Sequence, residues 1–337
     1  MGTSLPSPSP LPCEEVRVVS LLPSLTEIVA QLGKGEQLVG MSVTHECDFP
    51  PDVVMGKKVV TESFVDPKAS QREINDRVVE SLAQNNSLYA LREGAFRDAR
   101  PTHVLTQSLC DVCAVNFEQV KSKCSRLLAD DPYKLLSVEP QTLRDVRDSI
   151  QVVGASLDCS RAAIDEALAR FDEGRASVRE RVHRRLDRRR PKVALLEWFD
   201  PLFTGGHWIH EMVEDAGGSY GLTRPGERSA VMTRSDLAAY DPDVIVLAPC
   251  GFDLDRCERD AKKILYDPEG EHFEWWSGLR AVRESEVYAC DGNQYFSRPS
   301  PRLVEGIEIL AEVLHGVATT PRGEEGARWR RLELPPR

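Results

Sequence analysis

The segment LDCSRAAIDEALARFDEGRASVRERVHRRLDRRR, Leu157–Arg190, has no proline and a single glycine, and it separates two halves of similar design. Ile164, Leu168, Phe171, Val178 and Val182 recur in it at spacings of three, four and seven, which is one helical face. About 30 helical residues span roughly 45 Å, so the pattern predicts one rod bracing both halves and holding their relative motion to a small tilt. The basic run from Arg184 to Arg190 suits a helix C-terminus. The net charge of −11 argues against a nucleic-acid partner, because a phosphate backbone requires a basic face.

On either side of the rod, short β-branched runs alternate with amphipathic segments, the signature of an α/β fold with largely parallel sheets. Strands are expected at Arg17–Leu21, Gln37–Met41, His103–Thr106, Lys134–Ser137, Lys192–Leu196, Val244–Ala248 and Val287–Ala289. Three capping boxes are expected: Ser24 with Glu27, Ser70 with Glu73, and Asn116 with Gln119. A weak repeat supports two lobes: ARPTHVLTQ (Ala99–Gln107) parallels YDPDVIVLAP (Tyr240–Pro249), and RVVSLLPSLTEIVAQLG parallels KVALLEWFDPLFTGGHWIHEMVEDAGG in plan. The expected divisions are a disordered start at 1–15, an N-terminal lobe at 16–156, the linking helix at 157–190, a C-terminal lobe at 191–316 and a polar tail at 317–337.

The start MGTSLPSPSPLPCEEVR has neither a basic nor an apolar signal region, and nine cysteines is an odd count. The expectation is a cytosolic monomer with reduced thiols. No apolar run approaches the roughly 18 residues of a membrane span, so no membrane insertion is expected.

Two α/β lobes on one long helix resemble the substrate-binding proteins of iron-complex and vitamin B12 ABC importers, the helical-backbone (class III) receptors. The resemblance covers roughly Val16 to Gly316. It is carried by SLLPSLTEIVAQLG, the PTHVLT and PDVIVLAP strands, the central helix, and VYACDGNQYFSRPSPRLVEGIEILAEVL. The segments THECDFP, SLYALREGAFRDARPTHVLTQSLCDVC, LEWFDPLFTGGHW and APCGFD look like a cobalamin-binding-like sub-branch. The resemblance implies two Rossmann-like lobes with mainly parallel sheets and a ligand held between them. The expected ligand is a metal complex: cobalamin, or a related iron or tetrapyrrole chelate. An ABC importer is the implied partner, and without an export signal the alternative expectation is an intracellular carrier.

In open α/β sheets ligands sit beyond the carboxyl ends of the strands. That brings together Pro23 and Ser24, His45 and Glu46 with Cys47, the Cys110–Cys113 loop, Glu197–Trp208, Cys250–Phe252 and Asp291–Arg298. Trp198, Phe199, Phe203, Trp208, Phe252, Tyr295 and Phe296 fall on these loops although aromatics are 7% of the chain. Such faces suit a flat macrocycle. Half of them are expected to pack beneath their own lobe, with Trp198 and Trp208 touching ligand. His207 is a candidate axial donor to iron or cobalt, and Arg298 a polar anchor.

Cys47, Cys110, Cys113 and Cys250 form a candidate soft site for zinc or iron, with His45 as a further donor. The alternative function is therefore a thiolate metal-binding protein or metalloenzyme on the same fold; buried free cysteines fit as well as a metal site, and redox chemistry of the C-x-x-C pair before a helix start ranks behind both. Cys13, Cys124, Cys159, Cys257 and Cys290 are expected to be ungrouped. Glu197 and Asp200 are expected to orient Arg298 or a loop N–H. No Walker loop, G-x-G-x-x-G or G-x-S-x-G occurs, so no catalytic constellation is predicted.

Overall fold

The computed structural model describes residues 15–43, 47–84, 88–107, 117–129, 131–184, 190–317 and 328–333. Twelve strands are described: β1 (Val18–Ser20), β2 (Leu38–Met41), β3 (Lys58–Val59), β4 (Thr61–Ser63), β5 (Tyr89–Leu91), β6 (His103–Thr106), β7 (Lys134–Ser137), β8 (Val193–Phe199), β9 (Leu202–Thr204), β10 (Val244–Leu247), β11 (Val287–Cys290) and β12 (Trp329–Leu332). The first lobe holds a parallel sheet in the order β3-β2-β1-β6-β7. The second holds β12-β11-β10-β8-β9, with a parallel β11-β10-β8 centre and antiparallel edges. The central strands β1, β6, β10 and β11 are buried at every residue. Helices cover both faces of each sheet, which is why these strands read as unbroken apolar runs.

The rod is the helix Arg161–His183, about 35 Å long at 1.5 Å per residue. It is shorter than the expected Leu157–Arg190. Leu157 closes the preceding helix Leu143–Ser156, and the Ser160 side chain then accepts the Ala163 N–H to start a new one. Ile164, Leu168, Phe171, Val178 and Val182 are all buried. They join one apolar core that includes Ile28 and Ile150 of the first lobe and Met212 and Ile307 of the second. Two glycines permit this close packing. A Cβ at Gly154 would lie 2.7 Å from Ile164, and one at Gly174 would lie 2.7 Å from Val304.

Two expectations are corrected. Residues beyond 317 are not all a polar tail: β12 pairs antiparallel with β11, burying Leu332 and setting Trp329 edge-on to Tyr288. The Ser24–Glu27 capping box does not form. Leu22 is the N-cap, Pro23 opens the helix Pro23–Gln31, and Ser24 is buried inside its first turn. The Ser70–Glu73 box forms as expected at the start of the helix Gln71–Ala83. The Asn116 box, Cys13, His45, Glu46, Cys110 and Cys113 lie outside the described residues.

Candidate functional site: the crevice between the lobes

Segments beyond the carboxyl ends of β1, β2, β4 and β7 face segments beyond β8, β9, β10 and β11, and three groups of contacts join them. The deepest is ionic. Arg298, 4% exposed, lies 2.9 Å from Glu27, itself 4% exposed, and 2.9 Å from Asp48. Arg302 stacks its guanidinium 4.0 Å over Phe49 and 4.8 Å over Tyr295. Burial pushes the Glu27 carboxyl upward against the pull of Arg298. Burial also opposes the Arg298 charge, but Glu27 and Asp48 outweigh it and raise its pKa. Glu27, expected as half of a capping box, is thus the first lobe's anchor for the second.

The second group lies at the rim. The Trp198 indole N–H donates to the Gln71 carbonyl at 3.2 Å, and the Phe199 N–H donates to Gln71 Oε1 at 3.0 Å. Arg256 donates to the carbonyls of Pro67 and Ala69 and lies 3.5 Å over the Phe252 ring. Arg72 pairs with Asp200. The third group sets His207 Nδ1 2.8 Å from Gln141 Oε1, and the Leu143 N–H donates to Glu211 at 2.7 Å. Burial and then Arg228 lower the His207 pKa, so the ring is neutral near pH 7. With Nδ1–H given to Gln141, the lone pair sits on Nε2.

The aromatic residues divide. Phe199, Phe252 and Phe296 are at most 2% exposed and belong to the second lobe's interior. Trp208 does too: it is 5% exposed and its indole N–H donates to the Phe296 carbonyl at 2.8 Å, so the expectation that it faces ligand is corrected. Trp198, Phe203 and Tyr295 are half-buried. Trp198 lies at the rim, 5.2 Å from the Phe252 ring. Pro23 is half-buried at the helix start beyond β1.

Of the four candidate metal-site thiols, Cys47 and Cys250 are among the described residues. Cys47 is buried, donates to Thr26 Oγ1 at 3.2 Å, and has its pKa pushed up to about 11 by burial, so it keeps its proton. Cys250 is exposed on the opposite rim, its N–H donating to the Glu197 carbonyl at 3.2 Å. Among the described residues no group of three or more His, Cys, Asp or Glu could hold a metal ion. Cys124, Cys257 and Cys290 are buried and Cys159 half-buried. His210 turns to the Thr223 carbonyl. Glu197 turns its carboxyl inward to the Gly206 N–H and the Ser229 hydroxyl, and burial raises its pKa. Asp200 meets Arg72 rather than Arg298. Gln71, Arg72 and Arg256 were not singled out from the sequence, because their role depends on a partner in the other lobe.

This architecture, two mainly parallel sheets facing each other across a crevice and braced by one helix, is the class III periplasmic-binding-protein fold. Residues 112–294, more than half of the chain, match the family described as Periplasmic binding protein, and the chain belongs to that family of non-catalytic substrate-binding proteins.

Particular relatives sharpen the placement. The chain is 26% identical over 310 residues to the "Uncharacterized ABC transporter substrate-binding lipoprotein YvrC" of Bacillus subtilis (strain 168), covering 90% of this chain and 81% of that protein. A periplasmic heme-binding protein from Pseudomonas aeruginosa superposes with a TM-score of 0.64 at 18% identity, over 90% of this chain and 94% of that one. The periplasmic vitamin B12 binding protein BtuF of Vibrio cholerae superposes with a TM-score of 0.58 at 17% identity, over 88% and 96%. These relatives overturn the cytosolic expectation: a lipoprotein and periplasmic receptors are extracytoplasmic proteins. Among the described residues no helix is long and apolar enough to cross a membrane.

Proposed function

We propose that the chain is the substrate-binding component of an ABC importer and that it seats a metal chelate, cobalamin first, between its lobes. The observation that carries this reading is Trp198. It is a half-buried aromatic face at the carboxyl end of β8, turned to the first lobe rather than packed inside its own. A flat macrocycle gains from such a face, and a few polar groups fix its orientation. His207 supplies a neutral imidazole on the same side of the second lobe. The fold neighbours named above bind heme and vitamin B12, which supports a macrocyclic metal complex as the ligand class.

Absorption titration with hydroxocobalamin, and with hemin as the comparison ligand, tests it. The expected result is saturable binding of one macrocycle per chain. Linear, non-saturating response to both ligands up to about 100 µM, weaker than specific pockets of this kind reach, removes the proposal.

A further inference from the structure

We propose that Gln71 is a positioning residue: through it the first lobe sets Trp198 and the end of β8, so closure of the lobes completes the aromatic wall of the crevice. The proposal rests on the reading of that crevice as the ligand site.

Gln71 is fully buried, yet it opens a helix that is otherwise poorly anchored. Of the thirteen residues of Gln71–Ala83, only Gln71 and Ser81 are buried, and both are polar. The helix leaves the first lobe through β4 and returns through β5, which pair antiparallel over three residues apart from the main sheet. Segments with little apolar burial have low local stability. What holds the near end of this helix is polar and belongs to the second lobe. Gln71 takes two donors from consecutive residues: its backbone carbonyl accepts the Trp198 indole N–H, and its side-chain Oε1 accepts the Phe199 amide. Arg256 reaches the Pro67 and Ala69 carbonyls just before it. Arg72 pairs with Asp200 just after it.

The orientation of the Gln71 amide is fixed by chemistry. An N–H donor at Phe199 requires the carbonyl oxygen opposite it, and a flipped amide would set donor against donor. The same contacts run on into the ring cluster. Arg256 lies over Phe252, and Phe252 lies 5.2 Å from Trp198 at an interplanar angle of 59°. One side of Trp198 is therefore set by its own lobe and its indole N–H by the other. Opening the lobes removes the second constraint and frees the ring. The first lobe thereby reports its position to the ligand through an aromatic residue it does not own.

The test compares Gln71→Met, which keeps the side-chain length but has no side-chain acceptor for the Phe199 amide, with Gln71→Glu, which restores one. In the ligand-free protein, hydrogen exchange of the Phe199 amide and the indole N–H resonance of Trp198, assigned with Trp198→Phe, are read. Gln71→Met should speed Phe199 exchange by at least ~tenfold, the size expected for losing one buried acceptor, and shift the indole resonance indirectly, through the loosened end of β8, since the backbone carbonyl that accepts the indole N–H is kept. Val19 and Val104 amides should stay unchanged, and Gln71→Glu should recover the wild-type values. Unchanged Phe199 exchange, or exchange rising equally in both lobes, overturns the proposal. With hydroxocobalamin or hemin bound, Gln71→Met and Trp198→Ala should each weaken affinity and their effects should not add; additive losses overturn it. If the wild type binds neither probe, the crevice reading fails by itself, and the ligand-free measurements still decide whether Gln71 positions Trp198.

Discussion

The two lobes meet at a deep ionic contact and at a polar rim contact, and the two differ in how far the arginine is withdrawn from water. At the deep contact Arg298 and Glu27 are each 4% exposed, with Arg302 at 8% beside them. At the rim, the Arg72 side chain is 53% exposed, its partner Asp200 is 11% exposed and its near neighbour Glu271 is 72% exposed. Charges taken that far from water gain little net stability from pairing, but losing one partner leaves the other stranded. Exposed pairs are screened and contribute little either way. The deep contact therefore fixes which arrangement of the lobes is allowed, while the rim is free to open without unfolding anything. A receptor that must hold and then release a ligand needs both properties in different places.

The largest effect that breaks this comparison is expected from Arg298→Ala. It should cost about 3 kcal/mol, because buried Glu27 loses its 2.9 Å partner and keeps only Arg302, at 4.0 Å, as a counter-charge. Adding Glu27→Gln should return part of that loss, as read by urea unfolding of both variants. If Arg298→Ala costs no more than an exposed pair, the deep contact is not what the geometry indicates.

A pH signature should also separate the two. Asp291, beyond β11 on the deep side, caps the helix Gly292–Tyr295, and burial pushes its pKa up to about 6. The unfolded value is about 3.9. Between these values the native state holds more protons than the unfolded one, so stability falls as pH rises from about 4 to about 6 and then levels. Asp291→Asn keeps the cap and should remove this fall. The wild type should lose up to about 2–3 kcal/mol relative to the variant across that window, measured as the change in their urea midpoints at about pH 4 and pH 7.

At the rim, Arg72→Ala should cost less than Arg298→Ala, about 1–2 kcal/mol, because Arg72 is half in water and His272 also lies 3.8 Å from Asp200, and the effect should shrink in about 1 M salt. A salt-insensitive loss above about 2 kcal/mol would place the rim with the deep contact. The smallest effect concerns the thiols on the two sides. Iodoacetamide should label exposed Cys250 well before buried Cys47, whose proton is retained, as mapped by peptide mass spectrometry. Equal labelling would contradict the burial of Cys47.

What was legible in the sequence follows the range of the interactions. The rod and the parallel strands showed because their periodicity is written locally in Ile164, Leu168, Phe171 and in the VIVL run of β10. The Ser70–Glu73 box was legible for the same reason. Ser24 and Glu27 carry an identical local signal, yet a partner 271 residues away takes Glu27 out of the cap. Trp198 and Trp208 are alike on paper. One indole N–H finds a carbonyl in the other lobe and the other finds one in its own, and nothing within ten residues distinguishes them. β12 was missed because the Trp329–Leu332 run lacks apolar alternation and is strand only by virtue of the open edge of β11.

The central claim is that the crevice holds a macrocyclic metal complex against Trp198. Calorimetric titration of the wild type and Trp198→Ala with hydroxocobalamin, in one buffer, tests it most directly. The account predicts one site per chain in both, with the variant weaker by ~tenfold or more, about 1.4 kcal/mol, for the loss of one aromatic face. No saturable heat with the wild type, or equal affinity in the two proteins, would contradict it.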